Sequence, residues 1–231
     1  MTTPYSDAPA LRQTLIDTCR RMNDLGLNQG TAGNISVRCG ETMLITPSGV
    51  PYDRMTPQMI VPLPLAGGLD HPFATPETPS GVLAPSSEWR FHKALLQARP
   101  DMQAVVHAHP VHCTALAMTR QEIPACHYMV AIFGGKHVPL APYALFGSAE
   151  LASGVVTAMG PHHGCLMANH GATVLGETLD KGLWRLEELE ALARGYLLSL
   201  QAAEGGPHLL SDAEMDAALV AIGNYGLKTT A

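Results

Sequence analysis

Three of the eleven histidines in this 231-residue chain stand where a catalytic metal site would need them: His107 and His109 in AVVHAHP, and His170 in ANHGATV. Ala104 to Val106 is an apolar, partly β-branched run that predicts a strand. Residues two apart in a strand point to the same side, so His107 and His109 aim their imidazoles together before Pro110 stops the ladder. His170 lies in a Gly-flanked corner between the apolar runs 165–168 and 172–175, where a hairpin tip would supply a third nitrogen. Three nitrogens leave coordination positions open for substrate, whereas a structural zinc is closed by four ligands, usually including cysteine, and no cysteine pair here has that spacing. An H-x-H pair arises easily by chance in a chain so rich in histidine, and the third residue is what gives the pair weight. Glu88, in PSSEWRFH at a predicted helix start, adds a carboxylate. Together these residues point to metal-assisted carbonyl chemistry.

Three further segments predict an anion site. Gly30 and Gly33 in GLNQGTAGNISV, and Thr46, Ser48 and Gly49 in ITPSGVPYD, would let backbone N–H groups approach a phosphate. Ser86 and Ser87 sit at the expected N-terminus of a helix, whose dipole favours negative charge. Each is an ordinary turn when taken alone: the first is not a G-x-G-x-x-G behind a strand, and the second lacks the GK[ST] of a P-loop. Their convergence on one phosphomonoester is the expectation.

Composition narrows the partners. A net charge of −6, a pI near 6.0 and no Lys/Arg cluster argue against nucleic acid and anionic membranes, leaving small ligands. No run of about 18 apolar residues would span a bilayer. The start MTTPYSDAPALRQT has neither a basic nor an apolar targeting region, so a cytoplasmic location is expected. Five cysteines without C-x-x-C spacing predict reduced, mostly buried thiols. The length suits one domain, residues 1–231.

Helices and strands alternate along the chain. An amphipathic helix is predicted over 11–25 with Gly26 as its stop, then short strands over 34–38 and 42–46 around the Cys39-Gly40 turn. Pro62 to Pro85, crowded with proline and glycine, reads as a long irregular surface loop. A helix is expected over 86–98 capped by Ser86 or Ser87, and another over 178–200 whose Asp180, Glu187, Glu188 and Glu190 form a solvated face. A last helix over 211–223 carries a capping box from Ser211 to Glu214.

The segments LIDTCRRMNDLGLNQGTAGNISVR, MLITPSGVPYDRMT, PSSEWRFHKA, AVVHAHPVHCTA, IPACHYMVAIFGG, APYALFGSAEL, ANHGATVLGE and NYGLK resemble the class II aldolase/adducin family, in order and over nearly the whole chain. The resemblance implies a three-layer α/β/α fold around a largely antiparallel sheet, in a homotetramer with active sites between subunits. It implies Zn²⁺ on His107, His109 and His170, with Glu88 as acid/base. A phosphate cradle of Thr31, Asn34, Ser48, Gly49, Ser86 and Ser87 is implied too, with Tyr128 and Tyr225 reaching into a neighbour's site. The implied reaction is retro-aldol cleavage of a ketose 1-phosphate, L-fuculose 1-phosphate or a 5-deoxy or 5-methylthio pentulose 1-phosphate, to dihydroxyacetone phosphate and an aldehyde. The family also holds sugar-phosphate 4-epimerases, which the resemblance gives Asp at the Glu88 position, methylthioribulose-1-phosphate dehydratases, and non-catalytic adducin-like modules, in which the three histidines are expected to be lost. Departures fall at the Pro-rich loop, at Lys136-His137 and at His162-His163, which bear on the aldehyde end of the substrate.

Overall fold

The structure, a computed structural model, describes residues 8–69 and 83–223. Tyr225 and positions 70–82 of the Pro-rich segment lie outside the described residues. The elements follow in the order α1 (Pro9–Asp24), β1 (Asn34–Cys39), β2 (Thr42–Ile45), β3 (Val61–Pro64), α2 (Trp89–Ala98), β4 (Ala104–Ala108), α3 (Val111–Met118), β5 (Leu140–Ala141), α4 (Ala149–Met159), β6 (Gly164–Met167), β7 (Gly171–Gly176), α5 (Leu179–Ala202) and α6 (Asp212–Gly223). All seven strands join one sheet in the order β3-β2-β1-β4-β7-β6-β5. Every pairing is antiparallel except β5 with β6.

The sheet is covered on both faces, and its strands divide their side chains accordingly. On β4, Ala104, Val106 and Ala108 join the core formed with α1, α3, α5 and α6, while Val105 joins the core formed with α2 and α4. The same alternation runs through β1 and β2: Ile35, Val37 and Leu44 face the first layer, Met43 and Ile45 the second. This is the three-layer α/β/α arrangement, and burial on both faces explains why its strands read as unbroken apolar runs. Parity then fixes where chemistry sits. His107 follows Val105 on the α2 side, and β1 pairs with β4 so that Asn34 lies opposite His107.

Local signals account for most of the element ends. Gly26, at φ +71°, ends α1, where the Leu27 N–H reaches back to the Met22 carbonyl at 3.0 Å. Ser148 and Thr178 cap α4 and α5 through their side-chain oxygens, and the Ser211–Glu214 box forms as expected, with the Ser211 N–H donating to the Glu214 carboxylate at 2.7 Å. The five cysteines are free, and Cys19, Cys113 and Cys165 are buried.

Three expectations need correction. Pro62 to Pro85 is not loop throughout: Val61–Pro64 is the edge strand β3, with Val61 and Leu63 buried and Pro62 and Pro64 paired opposite Leu44 and Thr42. Proline is tolerated there because an edge strand needs ladder hydrogen bonds on one side only. The helix expected from Ser86 begins at Trp89, with Glu88 in the N-cap position and Ser86 in the turn before it, where Ser86 Oγ accepts from the Glu88 N–H at 3.3 Å. The third correction concerns the acidic face of α5. Glu190 is not solvated but accepts from the backbone N–H groups of His112 and Cys113 at 3.0 Å each and contacts His112 Nδ1 at 2.7 Å.

Glu190 therefore caps α3, whose own N-cap residue, Pro110, offers no side-chain acceptor. A carboxylate on two helix-terminal N–H groups that have no other partner in the helix is worth roughly 1–2 kcal/mol when partly screened. Glu190→Ala is expected to lower unfolding stability by about that amount, read as a urea midpoint shift at constant m-value, whereas Glu187→Ala, which removes an exposed pair with Arg21, is expected to leave it nearly unchanged.

Candidate active site

Strand pairing, one hairpin tip and one helix start bring the proposed ligands together. His107 is the fourth residue of β4 and completely buried, and His109 follows the strand's end. His170 stands in the turn joining β6 to β7, after Asn169 at φ +55°. Gly171 follows it because β7 passes so close to β4 that a Cβ would lie 2.5 Å from the Ala108 carbonyl oxygen. The three rings meet edge to face, with centroids 4.9–5.0 Å apart, and their nearest nitrogens lie within 4.8 Å of one another.

Glu88 enters this group from the start of α2. Its Oε2 is 3.1 Å from His107 Nε2 and its Oε1 is 3.2 Å from His170 Nε2. His107 Nε2 is 3.2 Å from His109 Nε2. Three imidazole nitrogens this close together, with a carboxylate beside them, suit a single cation. The tautomer suits it too. His107 Nδ1 lies 2.9 Å from the Ala172 carbonyl, so Nδ1 carries the proton and donates, leaving the Nε2 lone pair aimed at its neighbours. The lone pair of the buried His107 aimed at a carboxylate is repelled by it unless a cation or a proton lies between them. The donor set, nitrogen and carboxylate without sulfur, fits Zn²⁺ and similar divalent ions.

Protonation states follow from burial and neighbours. Burial, then the nearby His107 and His170, bring His109 down to about 4, which keeps its ring neutral near pH 7. Burial alone would push Glu88 up, but the imidazoles of His107 and His170 outweigh it and hold the carboxyl well below the usual range. Glu88 is thus ionised, in a group where the His109 ring is neutral.

The cleft in front of this group has a volume of about 490 Å³. Thr31, Asn34, Ser48, Gly49, Ser86 and Ser87, the residues expected to cradle phosphate, all line it, together with Glu88, His109 and His170. Two bonds hold these turns in register: Ser48 N–H to the Ala84 carbonyl at 3.0 Å, and Ser86 N–H to the Thr46 carbonyl at 2.9 Å.

A family model described as "Class II Aldolase and Adducin N-terminal domain" matches residues 13–197. The chain belongs to the class II aldolase and adducin family. It is 45% identical over 218 residues to the L-fuculose phosphate aldolase of Escherichia coli (strain K12), covering 94% of this chain and 96% of that protein. It is equally 45% identical, over 222 residues, to the 5-methylthioribulose-1-phosphate/5-deoxyribulose-1-phosphate aldolase of Escherichia coli O45:K1 (strain S88 / ExPEC), covering 94% and 97%. Among solved structures, an L-fuculose 1-phosphate aldolase superimposes with a TM-score of 0.85 at 33% identity, covering 96% of this chain and 100% of that one.

Not every residue that the class II aldolase resemblance singled out reaches the cleft of its own chain. Tyr128 opens the short 3-10 turn Tyr128–Phe133, is 54% exposed and stacks on His127 at 4.6 Å, away from the residues that line the cleft. Conversely, Tyr143, Ala144, Phe146 and Asn169 line the cleft without having been assigned a role. Tyr143 and Phe146 stay more than half exposed, and in the sequence an apolar residue of a loop is indistinguishable from a packing residue. The buried His92, with Ser36 and Asn34 behind Glu88, was not anticipated either. Its one sequence signal is the four-residue spacing from Glu88, which puts both on the same side of α2.

The depressed imidazoles set a pH dependence. Burial and then the proximity of His107 hold His92 at about 3, and His109 is at about 4, whereas the same side chains in the unfolded chain titrate near 6.5. Between those limits the unfolded chain binds more protons than the folded one. Stability of the metal-free protein is therefore fully present above about pH 6.5 and falls as the pH drops toward 4 and then 3. Urea midpoints of chelator-treated protein from pH 7.5 down to 4.5 check this, and a flat profile contradicts it.

Proposed function

We propose that this chain is a divalent-metal-dependent aldolase that cleaves a ketose 1-phosphate to dihydroxyacetone phosphate and a short aldehyde, with Zn²⁺ as its metal. The observation that carries this reading is the meeting of His107, His109, His170 and the Glu88 carboxylate in one cleft whose other lining residues include Thr31, Ser48, Gly49, Ser86 and Ser87. The reading extends to a cytoplasmic homotetramer with active sites between subunits. No described helix is long and apolar enough to cross a membrane.

Retro-aldol cleavage breaks C3–C4 of the ketose and leaves negative charge on C3 and the C2 oxygen. A divalent ion held by His107, His109 and His170 supplies a Lewis acid that stabilises this charge. The protein's own groups do the rest. Backbone N–H groups and hydroxyls of the Thr31, Ser48–Gly49 and Ser86–Ser87 turns hold the phosphate, fixing C1 to C3. Glu88, ionised at the cleft, takes the C3 proton in the condensation direction and, by microscopic reversibility, returns it to C3 in cleavage. Tyr128, exposed on its own subunit, is assigned to a neighbouring subunit's cleft, where as the phenolate it would take the C4 hydroxyl proton, becoming the phenol, as the aldehyde leaves. Tyr225 is assigned to the same neighbouring cleft.

Two relatives at the same identity carry different substrate names, so the aldehyde end is where candidates must be compared. A screen of L-fuculose 1-phosphate, 5-deoxyribulose 1-phosphate and 5-methylthioribulose 1-phosphate, coupled to detection of dihydroxyacetone phosphate, tests the proposal. Removing the phosphate is expected to cost far more in kcat/KM than changing the terminal methyl or methylthio group. Cleavage of free ketoses as fast as their phosphates, or epimerisation without aldehyde release, would overturn it.

Two protein-side outcomes follow. Chelation is expected to abolish turnover and added Zn²⁺ to restore it, with about one ion per chain in the wild type and a large loss of bound metal in His107→Ala. Glu88→Gln keeps the side chain's shape while removing the base, so kcat is expected to fall by roughly 10²-fold or more with the folded state retained. Normal turnover in Glu88→Gln, measured alongside its thermal midpoint, would leave Glu88 as an ordinary helix-start residue.

A further inference from the structure

Behind Glu88 lies a row of buried polar side chains that the reaction as described does not use. Asn34 and Ser36 are alternate residues of β1 and present their side chains on the same face of the sheet. His92, one helical turn after Glu88, fits against both: Nδ1 is 2.8 Å from Ser36 Oγ, and Nε2 is 2.5 Å from Asn34 Oδ1. Asn34 Nδ2 then donates to Glu88 Oε2 at 2.9 Å. Ser36 and His92 are completely buried, so neither can turn to water, while Asn34 and Glu88, each 4% exposed, meet the cleft with little of their surface. Phe91 stacks on the His92 ring at 4.5 Å and keeps its plane in place.

Hydrogen-bond roles in this row allow one assignment. An ionised carboxylate only accepts, so the Asn34 amide nitrogen must face Glu88 and its oxygen must face His92. His92 Nε2 must then carry the proton, which makes Nδ1 an acceptor and the Ser36 hydroxyl its donor. All three bonds run in one direction, toward the carboxylate, and bonds aligned in this way reinforce one another in a dry interior. The two Glu88 oxygens are consequently unlike. Oε2 is held by Asn34, whereas Oε1 faces His170 Nε2 at 3.2 Å and has no other polar partner among the described residues.

We propose that His92, as the Nε2–H tautomer backed by Ser36, is a positioning residue that locks the Asn34 amide onto Oε2 of Glu88 and so fixes the orientation of that carboxylate. The positioning stands on geometry, and its effect on turnover rests on the aldolase reading above. Without a donor at Asn34 Oδ1, the amide can rotate by half a turn and bring its oxygen against the carboxylate. Glu88 then loses its anchor while the metal ligands and the phosphate turns keep theirs.

Three variants of the full-length, Zn²⁺-loaded protein test this. His92→Leu removes both bonds, His92→Gln keeps an N–H that can reach Asn34 Oδ1, and Ser36→Ala removes only the donor to Nδ1. His92→Leu is expected to lower kcat by roughly 10- to 100-fold, the usual effect of losing an orienting partner, with KM changed by less than about threefold and bound metal unchanged. His92→Gln is expected to recover most of kcat, and Ser36→Ala to fall between it and His92→Leu. A merely space-filling His92 predicts unchanged kcat in a folded His92→Leu and no advantage for Gln, and either result overturns the proposal. If His92→Leu does not fold, the ranking of wild type above Gln above Ser36→Ala carries the test, and equal kcat in Ser36→Ala and wild type overturns it.

Independent of turnover, ¹⁵N spectra of histidine-labelled, metal-free wild type at neutral pH are expected to show His92 protonated at Nε2 alone. An Nδ1–H tautomer or an imidazolium overturns the proposal. Failure of the wild type to cleave any ketose 1-phosphate would defeat the aldolase reading and with it the expected effect on turnover, while the spectra would still decide the positioning row.

Discussion

β4 is paired along both edges and packed on both faces, so any polar side chain it carries has to find its partners inside the protein. Most of the site's architecture follows from that constraint. His107 cannot be solvated, so its Nδ1–H takes the carbonyl of Ala172 on β7 and its Nε2 is left to face other groups. Those groups come from elements brought within reach by the antiparallel order β1-β4-β7: Asn34 opposite on one neighbour, and the β6–β7 turn with His170 beside the other. The helix layer then delivers Glu88 from the only side to which β4 turns its odd-numbered residues. Burying such a cluster is unfavourable unless each member is paired or coordinated, which is why the depressed imidazoles and the ionised carboxylate belong to one electrostatic unit.

Much of this was legible in the chain because it depends on short periodicities. The two-residue repeat of a strand is enough to place His107 beside His109, and a glycine-flanked corner between apolar runs is enough to suggest that His170 sits at a hairpin tip. The capping box at Ser211 and the stop at Gly26 likewise use only neighbouring residues. The glycine and serine turns read as anion-binding backbone converging on one phosphomonoester, while the full set of six cradle residues comes through the family resemblance.

What was not legible depends on partners distant in sequence. Ser36 and His92 lie 56 positions apart, and nothing in either segment shows that a strand hydroxyl and a helix imidazole share a bond. Glu190 belongs by spacing to the wet face of a long helix, and only the docking of α3 against α5 turns it into a cap. The start of α2 was misplaced because two serines before Glu88 look like a cap, whereas the chain uses Ser86 to shape the turn and gives the N-cap position to Glu88 itself. Tyr128 stacks on His127 away from the cleft of its own chain, so the role proposed for it depends on a second chain.

The edge strand β3 has a consequence of another kind. Leu65 donates its N–H to the Glu41 carbonyl, continuing the ladder toward β2, so the odd-numbered residues Val61 and Leu63 turn their N–H groups inward by the same parity. The outward positions are Pro62 and Pro64, which have no N–H to offer. A second chain arriving at this margin would find carbonyl oxygens but no donors along the middle of the strand, and could not extend the ladder. The two prolines thus remove the donors that strand-to-strand polymerisation across this margin would need.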